Sequence, residues 1–198
     1  MFPFIEIDEF GFPIRHERIK DRDGIETGYR TIHPITDLEK QLSILKPAAL
    51  SYDPETTEAR RQFLDGLLGD ILPVRMKHGG LGSMFLTARV VDLMGMEAFF
   101  KAMIDCPDAV HALMAYLRDN ALSVMKQLEA AGLLRLNNRH EHSFGSSLNY
   151  TRRLPAPDFD GTNVRLRDVW GSTNSQETVG VSPRMFHRFC FPYYRDVV

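Results

Sequence analysis

Residues 107–131 spell out a long amphipathic helix. Val110, Leu113, Met114, Leu117, Met125 and Leu128 recur at helical spacing between the opening Cys106-Pro107-Asp108 and a terminating Gly132. Such a helix of 25 residues spans about 37 Å, the length found on the outer layer of a sizeable α/β body. Short apolar runs accompany it. Ile71-Leu72-Pro73-Val74-Arg75-Met76 comes before, Leu133-Leu134-Arg135-Leu136-Asn137-Asn138 directly after, and Val164-Arg165-Leu166-Arg167-Asp168-Val169 beyond a polar loop over 139–163. Helical stretches over 83–94 and 96–105 separate the first run from the long helix, and a last helix opens at Ser182-Pro183. Strand, helix, strand, loop, strand, helix is the syntax of an α/β fold with a parallel sheet. Loops as long as 139–163 inside compact domains are usually functional or disordered.

The first third differs. Alternating stretches (Ile5 to Asp8, Ile14 to Ile19, Tyr29 to Ile32) are punctuated by Phe10-Gly11 and Asp23-Gly24, the latter suited to a tight hairpin turn. Thr36-Asp37-Leu38-Glu39 has capping-box spacing, with Thr36 as the expected N-cap and Glu39 reaching back. Asp53-Pro54 places an N-cap carboxylate before a first-turn proline, predicting a helix that runs to Leu68 and stops at Gly69. The expected organisation is therefore an N-terminal hairpin and helices over 1–69, followed by an α/β region over 70–198.

Composition narrows the classes. With 24 Lys and Arg against 26 Asp and Glu, the net charge is -2, so no bulk field points to nucleic acid or anionic lipid. The longest run free of charge covers 78–88, far short of the roughly 18 apolar residues of a membrane span. The first residues lack a basic start and an apolar stretch, so export is not expected. Cys106 and Cys190 are the only cysteines; a disulfide framework is not expected, and a cytoplasmic setting fits.

A family resemblance rests on two segments. Asp105-Cys106-Pro107-Asp108 with the helix behind it, and above all Val181-Ser182-Pro183-Arg184-Met185-Phe186-His187-Arg188-Phe189-Cys190-Phe191-Pro192-Tyr193-Tyr194-Arg195-Asp196-Val197, resemble the uroporphyrinogen decarboxylase superfamily. Members carry a small residue and Pro, then two Phe at three-residue spacing, then Pro-Tyr, just after a barrel strand. The resemblance covers roughly 70–198 and implies a partial TIM (β/α)8 barrel. Three strands do not close a barrel of eight, which ordinarily needs about 250 residues, and the amphipathic tail Tyr193 to Val198 carries no helix stop, so the chain is expected to end within the architecture.

The superfamily contains tetrapyrrole decarboxylases and zinc-dependent methyltransferases that move methyl groups to or from corrinoid proteins. The decarboxylases' Arg-Gln-Ala-Gly-Arg segment is absent here. The methyltransferases' zinc ligands, a His and two Cys from the second half of the barrel, are not in this chain. Asp168-Val169-Trp170-Gly171-Ser172-Thr173-Asn174-Ser175-Gln176-Glu177 and the Asn137-Asn138 loop look closer to the methyltransferase-like branch. Methyl transfer involving a corrinoid or other tetrapyrrole-type ligand is therefore the leading expectation, with uroporphyrinogen decarboxylation in porphyrin synthesis as the alternative and a non-catalytic binding fragment as a third. Zinc and corrinoid enter only through the resemblance. Implied partners are a small-molecule substrate or a corrinoid protein, without nucleic acid or membrane, and a homodimer is left open.

In a TIM barrel the working residues follow the strand ends, which picks out three places. His78-Gly79-Gly80 offers a backbone cradle with His78 as acid, base or donor; the plain alternative is a tight turn with a surface histidine. Asn137 and Asn138 suit hydrogen bonds to a polar ligand, while His140, Glu141 and His142 lack a third fixed ligand and are read as a solvated loop rather than a metal site. In the richest stretch Asp168, Asn174, Gln176 and Glu177 supply polar contacts, and Trp170 offers a flat surface to a macrocycle or simply plugs the core. Arg152, Arg153, Arg165 and Arg167 suit carboxylates, but the alternation of Arg165 and Arg167 favours a strand face turned to helices or solvent. Gly145-Ser146-Ser147 lacks the nucleophile-elbow pattern. No catalytic residue is singled out.

Overall fold

The computed structural model describes residues 1–76, 84–137 and 153–198. The fold is mixed α/β and mostly helical: β1 (Phe4–Asp8), β2 (Arg15–Lys20), β3 (Glu26–Ile32), α1 (Leu38–Gln41), β4 (Ala49–Asp53), α2 (Pro54–Leu68), α3 (Leu86–Met94), α4 (Met96–Asp105), α5 (Pro107–Ala130), α6 (Pro183–Phe189) and α7 (Phe191–Val197). Its sheets are two-stranded: β1 pairs with β4, and β2 with β3. Among the described residues no helix is long and apolar enough to cross a membrane.

The chain divides into two compact units. One comprises Met1–Ile7, Ala49–Gly82 and Leu122–Ser172; the other comprises Asp8–Ala48, Ser83–Ala121 and Thr173–Val198.

In the first unit, Asp53 caps α2 by accepting from the Thr56 N–H at 2.9 Å, with Pro54 in the first turn. The helix ends at Leu68 and Gly69 caps it. Thr57 is buried because its hydroxyl accepts from the Phe4 N–H of β1 at 2.9 Å and donates to the Asp53 carbonyl at 2.6 Å. Val124, Met125 and Leu128 are the buried residues of the last turns of α5. A Schellman motif closes that helix: Gly132, at φ +65, donates to Glu129, and Leu133 to Leu128.

The second unit carries most of the buried apolar residues. Leu86, Val90 and Leu93 of α3, Phe99 of α4, Val110, Leu113 and Met114 of α5, and Phe189 at the end of α6 are all fully buried. Polar residues of α5 hold the entering chain: Tyr116 and Asn120 both donate to the Glu9 carbonyl, at 3.1 and 2.8 Å, and Asn120 accepts from the Ala48 N–H at 3.0 Å. The β2–β3 hairpin turns at Gly24, whose φ of +80 is the conformation that Asp23-Gly24 favours.

Several expectations are corrected. The segments 71–76, 133–137 and 164–169 do not form strands, and among the described residues no parallel sheet joins them. Ile71 and Leu72 fold back onto α2, both donating to the Leu68 carbonyl, and stay 71% and 62% exposed; Pro73 removes the donor a ladder needs there. Leu166–Asp168 is a 3-10 turn, because the Asp168 side chain accepts from the backbone N–H of Arg165. At α1 the N-cap is Asp37 rather than Thr36. Asp37 accepts from the Lys40 N–H, while Gln41 rather than Glu39 reaches back, accepting from the Thr36 and Asp37 N–H groups at 2.8 Å. The last helix is broken at Cys190 into α6 and α7, since Pro192 has no N–H for the Arg188 carbonyl and its ring crowds it. Cys106 and Cys190 are both free thiols.

Candidate functional site

Three of the candidate residues, Asn137, Asp168 and Trp170, lie in the first unit. Asn137 is 5% exposed, and its carboxamide exchanges two hydrogen bonds with the Trp170 backbone: Nδ2 donates to the carbonyl at 2.8 Å and Oδ1 accepts from the N–H at 2.9 Å. A side-chain amide here does what a neighbouring strand's peptide group would do. The Trp170 ring is half-buried, and its indole Nε1–H is buried without an acceptor among the described residues. A buried donor left unpaired is costly.

Asp168 is fully buried and serves the fold. Its carboxylate accepts from the Arg165 guanidinium at 2.8 Å, from the Arg165 N–H at 2.9 Å and from the Ala156 N–H at 3.1 Å. The guanidinium, aided by the backbone donors and opposed by burial, pulls its pKa down to about 2. Arg165 is also paired with Asp158 at 3.1 Å, and Arg167 pairs with the same carboxylate. Both arginines are thus engaged with carboxylates of the chain itself, which explains their position without a ligand.

The other three, Asn174, Gln176 and Glu177, lie in the second unit on a segment ending in the 3-10 turn Gln176–Thr178. Asn174 and Gln176 are exposed. Behind them sits a buried knot. The Tyr194 hydroxyl of α7 donates to the Asn174 carbonyl at 2.7 Å and accepts from the Thr87 N–H of α3 at 2.9 Å. The Thr87 hydroxyl donates to the Glu177 carboxylate at 2.8 Å and lies 2.8 Å from the Tyr194 oxygen. Thr87 is fully buried and Tyr194 is 7% exposed, and burial raises the tyrosine's pKa. Thr173 ties the same segment to the residues just before α3 by donating to the Met84 carbonyl at 2.7 Å. The knot leaves the Asn174 and Gln176 carboxamides presented to solvent on a fixed backbone.

Sequence reasoning missed Thr87 and Tyr194. Tyr194 belongs to the Pro-Tyr-Tyr signature, whose aromatics read as packing. Thr87 has no sequence signal, because its partners lie 90 and 107 positions away. A cleft of about 610 Å³ also went unread; His33, Asp37, Glu97, Lys101 and Cys106 are among its lining. There Gly95 adopts φ +80, and a side chain on it would meet the His33 ring at 3.0 Å. Burial and the carboxylates Glu39, Asp105 and Asp37 raise the Cys106 pKa, so the thiol stays protonated at neutral pH.

His78, Asn138, Arg152 and the His140-Glu141-His142 set lie outside the described residues. Among the described residues, no group of three or more His, Cys, Asp or Glu side chains is placed to hold a metal ion. Comparison with protein-family models, with curated proteins and with solved structures returned no match.

Proposed function

We propose that this chain belongs to the uroporphyrinogen decarboxylase superfamily and takes part in methyl transfer with a corrinoid, and that the segment Asn174 to Glu177 faces the ligand. One observation carries the reading: the hydrogen bond of 2.7 Å from Tyr194 to the Asn174 carbonyl. It joins the most specific part of the family resemblance to the stretch richest in ligand-type side chains. In this reading the Pro-Tyr-Tyr tyrosine holds a binding segment in place.

The donor set fits such a ligand. A corrinoid is rimmed with carboxamides, which pair with other carboxamides as donor and acceptor at once; Asn174 and Gln176 are exposed to do so. When bound, the corrinoid supplies the methyl-carrying chemistry. The chain's own residues fix the backbone at Asn174 and Glu177 and keep Thr87 and Tyr194 away from water. Zinc does not fit the described residues, and no step is assigned to it. The decarboxylase reading asks for free guanidiniums to hold carboxylates, whereas Arg165 and Arg167 are already paired with Asp158 and Asp168.

The test is equilibrium dialysis of the 198-residue protein against hydroxocobalamin, with methyl transfer from methylcobalamin to thiol acceptors assayed in parallel. The reading requires saturable binding that weakens at least ten-fold in Asn174→Ala with Gln176→Ala, and transfer above the protein-free rate. Binding without transfer favours a binding module. Carboxylate loss from uroporphyrinogen, with no corrinoid binding, overturns the proposal in favour of decarboxylation.

A further inference from the structure

Helices α6 and α7 carry two contrasting faces. Phe189, Cys190, Tyr194 and Val197 are buried, whereas Arg184, His187, Arg188, Phe191 and Arg195 are exposed. The exposed set recurs every three or four residues, which keeps it on one side of a helix. The break at Cys190 does not interrupt this strip. Across it the His187 and Phe191 rings stack, with centroids 5.3 Å apart and planes 17° from parallel, and the Tyr193 and Tyr194 N–H groups both donate to the Cys190 carbonyl. Phe191 stays 41% exposed.

The charge of the strip is not neutralised. Elsewhere in the same unit Arg89 is paired with Glu9 and Asp92, and Arg118 with Asp119 and Asp196. Among the described residues no carboxylate lies within ion-pairing distance of Arg184 or Arg188, and Arg195 reaches only its neighbour Asp196 at 3.8 Å. The Arg188 guanidinium rests 4.8 Å from the Phe189 ring centroid, a contact that steadies it and leaves its N–H donors free.

Unpaired guanidiniums beside a half-bare aromatic ring suit a partner that presents anions and flat rings together. An acidic peptide supplies only the anions. An anionic membrane asks for a broad apolar face, and Phe191 is the one apolar member of the strip. An unpaired strand of nucleic acid offers phosphates to the guanidiniums and base planes to the ring. The near-neutral charge of the whole chain does not oppose this, because the affinity comes from local phosphate contacts. We propose that the outer face of α6 and α7 binds single-stranded nucleic acid, with Arg184, Arg188 and Arg195 on its phosphates and a base stacked on Phe191.

Fluorescence anisotropy of a labelled oligouridylate titrated with the full chain tests this. For a single strand each phosphate contact contributes about −0.7 to the slope of log K against log salt, so three contacts should give about −2. Arg184→Gln with Arg188→Gln should weaken binding at least ten-fold and leave a slope of about −0.7. Phe191→Leu should weaken oligouridylate at least five-fold and leave the binding of inorganic polyphosphate, which has no bases, unchanged. Absence of binding, an equal effect of Phe191→Leu on both anions, polyglutamate bound as tightly as the oligouridylate, or capture by phosphatidylserine vesicles in its place would overturn the proposal.

Discussion

The carboxamide of Asn137 and the peptide group of Trp170 clasp each other through two hydrogen bonds of 2.8 and 2.9 Å, across 33 positions of sequence. Removing one side leaves two backbone groups unpaired in a largely buried place, each costing about 1–3 kcal/mol. Asn137→Ala should therefore lower unfolding free energy by about 2–4 kcal/mol, measured as a drop in the urea midpoint at unchanged slope. Asn137→Asp should not rescue it, since a carboxylate keeps the acceptor for the Trp170 N–H but sets a second acceptor against the carbonyl.

Tyr194→Phe should cost about 2 kcal/mol, because the Thr87 N–H and the Asn174 carbonyl both lose their partner. The ring still packs, so the helices should persist in circular dichroism while hydrogen exchange around residues 174–177 quickens. Unchanged exchange there would mean the hydroxyl does not hold the segment.

The pH dependence follows from Asp168. Its folded pKa of about 2 lies below the ordinary 3.8, so its stabilising contribution is complete above about pH 4 and is lost as the pH falls toward 2. Wild-type protein should lose more stability between pH 5 and pH 2.5 than Asp168→Asn does, as read by urea unfolding at the two pH values. Equal losses would show that the Arg165 contact does not hold the carboxylate ionised.

The thiols should differ in access rather than in chemistry. Burial pushes the Cys190 pKa up to about 12, and the side chain is fully buried. Cys106, also raised, is partly exposed. Alkylation at pH 8 should be slow at Cys106 and should reach Cys190 only in denaturant, as followed by peptide mass spectrometry.

The parts of this fold that were legible in the sequence are those specified by local chemistry. Asp53-Pro54 marks the start of α2, Asp23-Gly24 the hairpin turn, Gly132 the stop after α5 and Ser182-Pro183 the start of α6. Each acts through its own backbone conformation or a bond to the next turn. The three apolar runs misled because a short apolar stretch does not reveal its partner. Leu133 and Leu134 are buried, yet their neighbour Asn137 bonds the chain through its side chain instead of a strand ladder. Around Asn174 the residue types were visible and the clamp was not, since Thr87 and Tyr194 reach it only through tertiary packing. Trp170 was visible as a residue type, but its half-buried ring and an indole N–H without an acceptor among the described residues were not.

The most direct test of the proposed corrinoid binding uses Trp170, the only tryptophan in the chain, as a fluorescent reporter. Titrating hydroxocobalamin into wild type and Tyr194→Phe should give saturable quenching at one ligand per chain in the former and at least ten-fold weaker binding in the latter. Quenching that rises linearly without saturation, the same in both proteins and in free tryptophan, would contradict a corrinoid site organised by Tyr194.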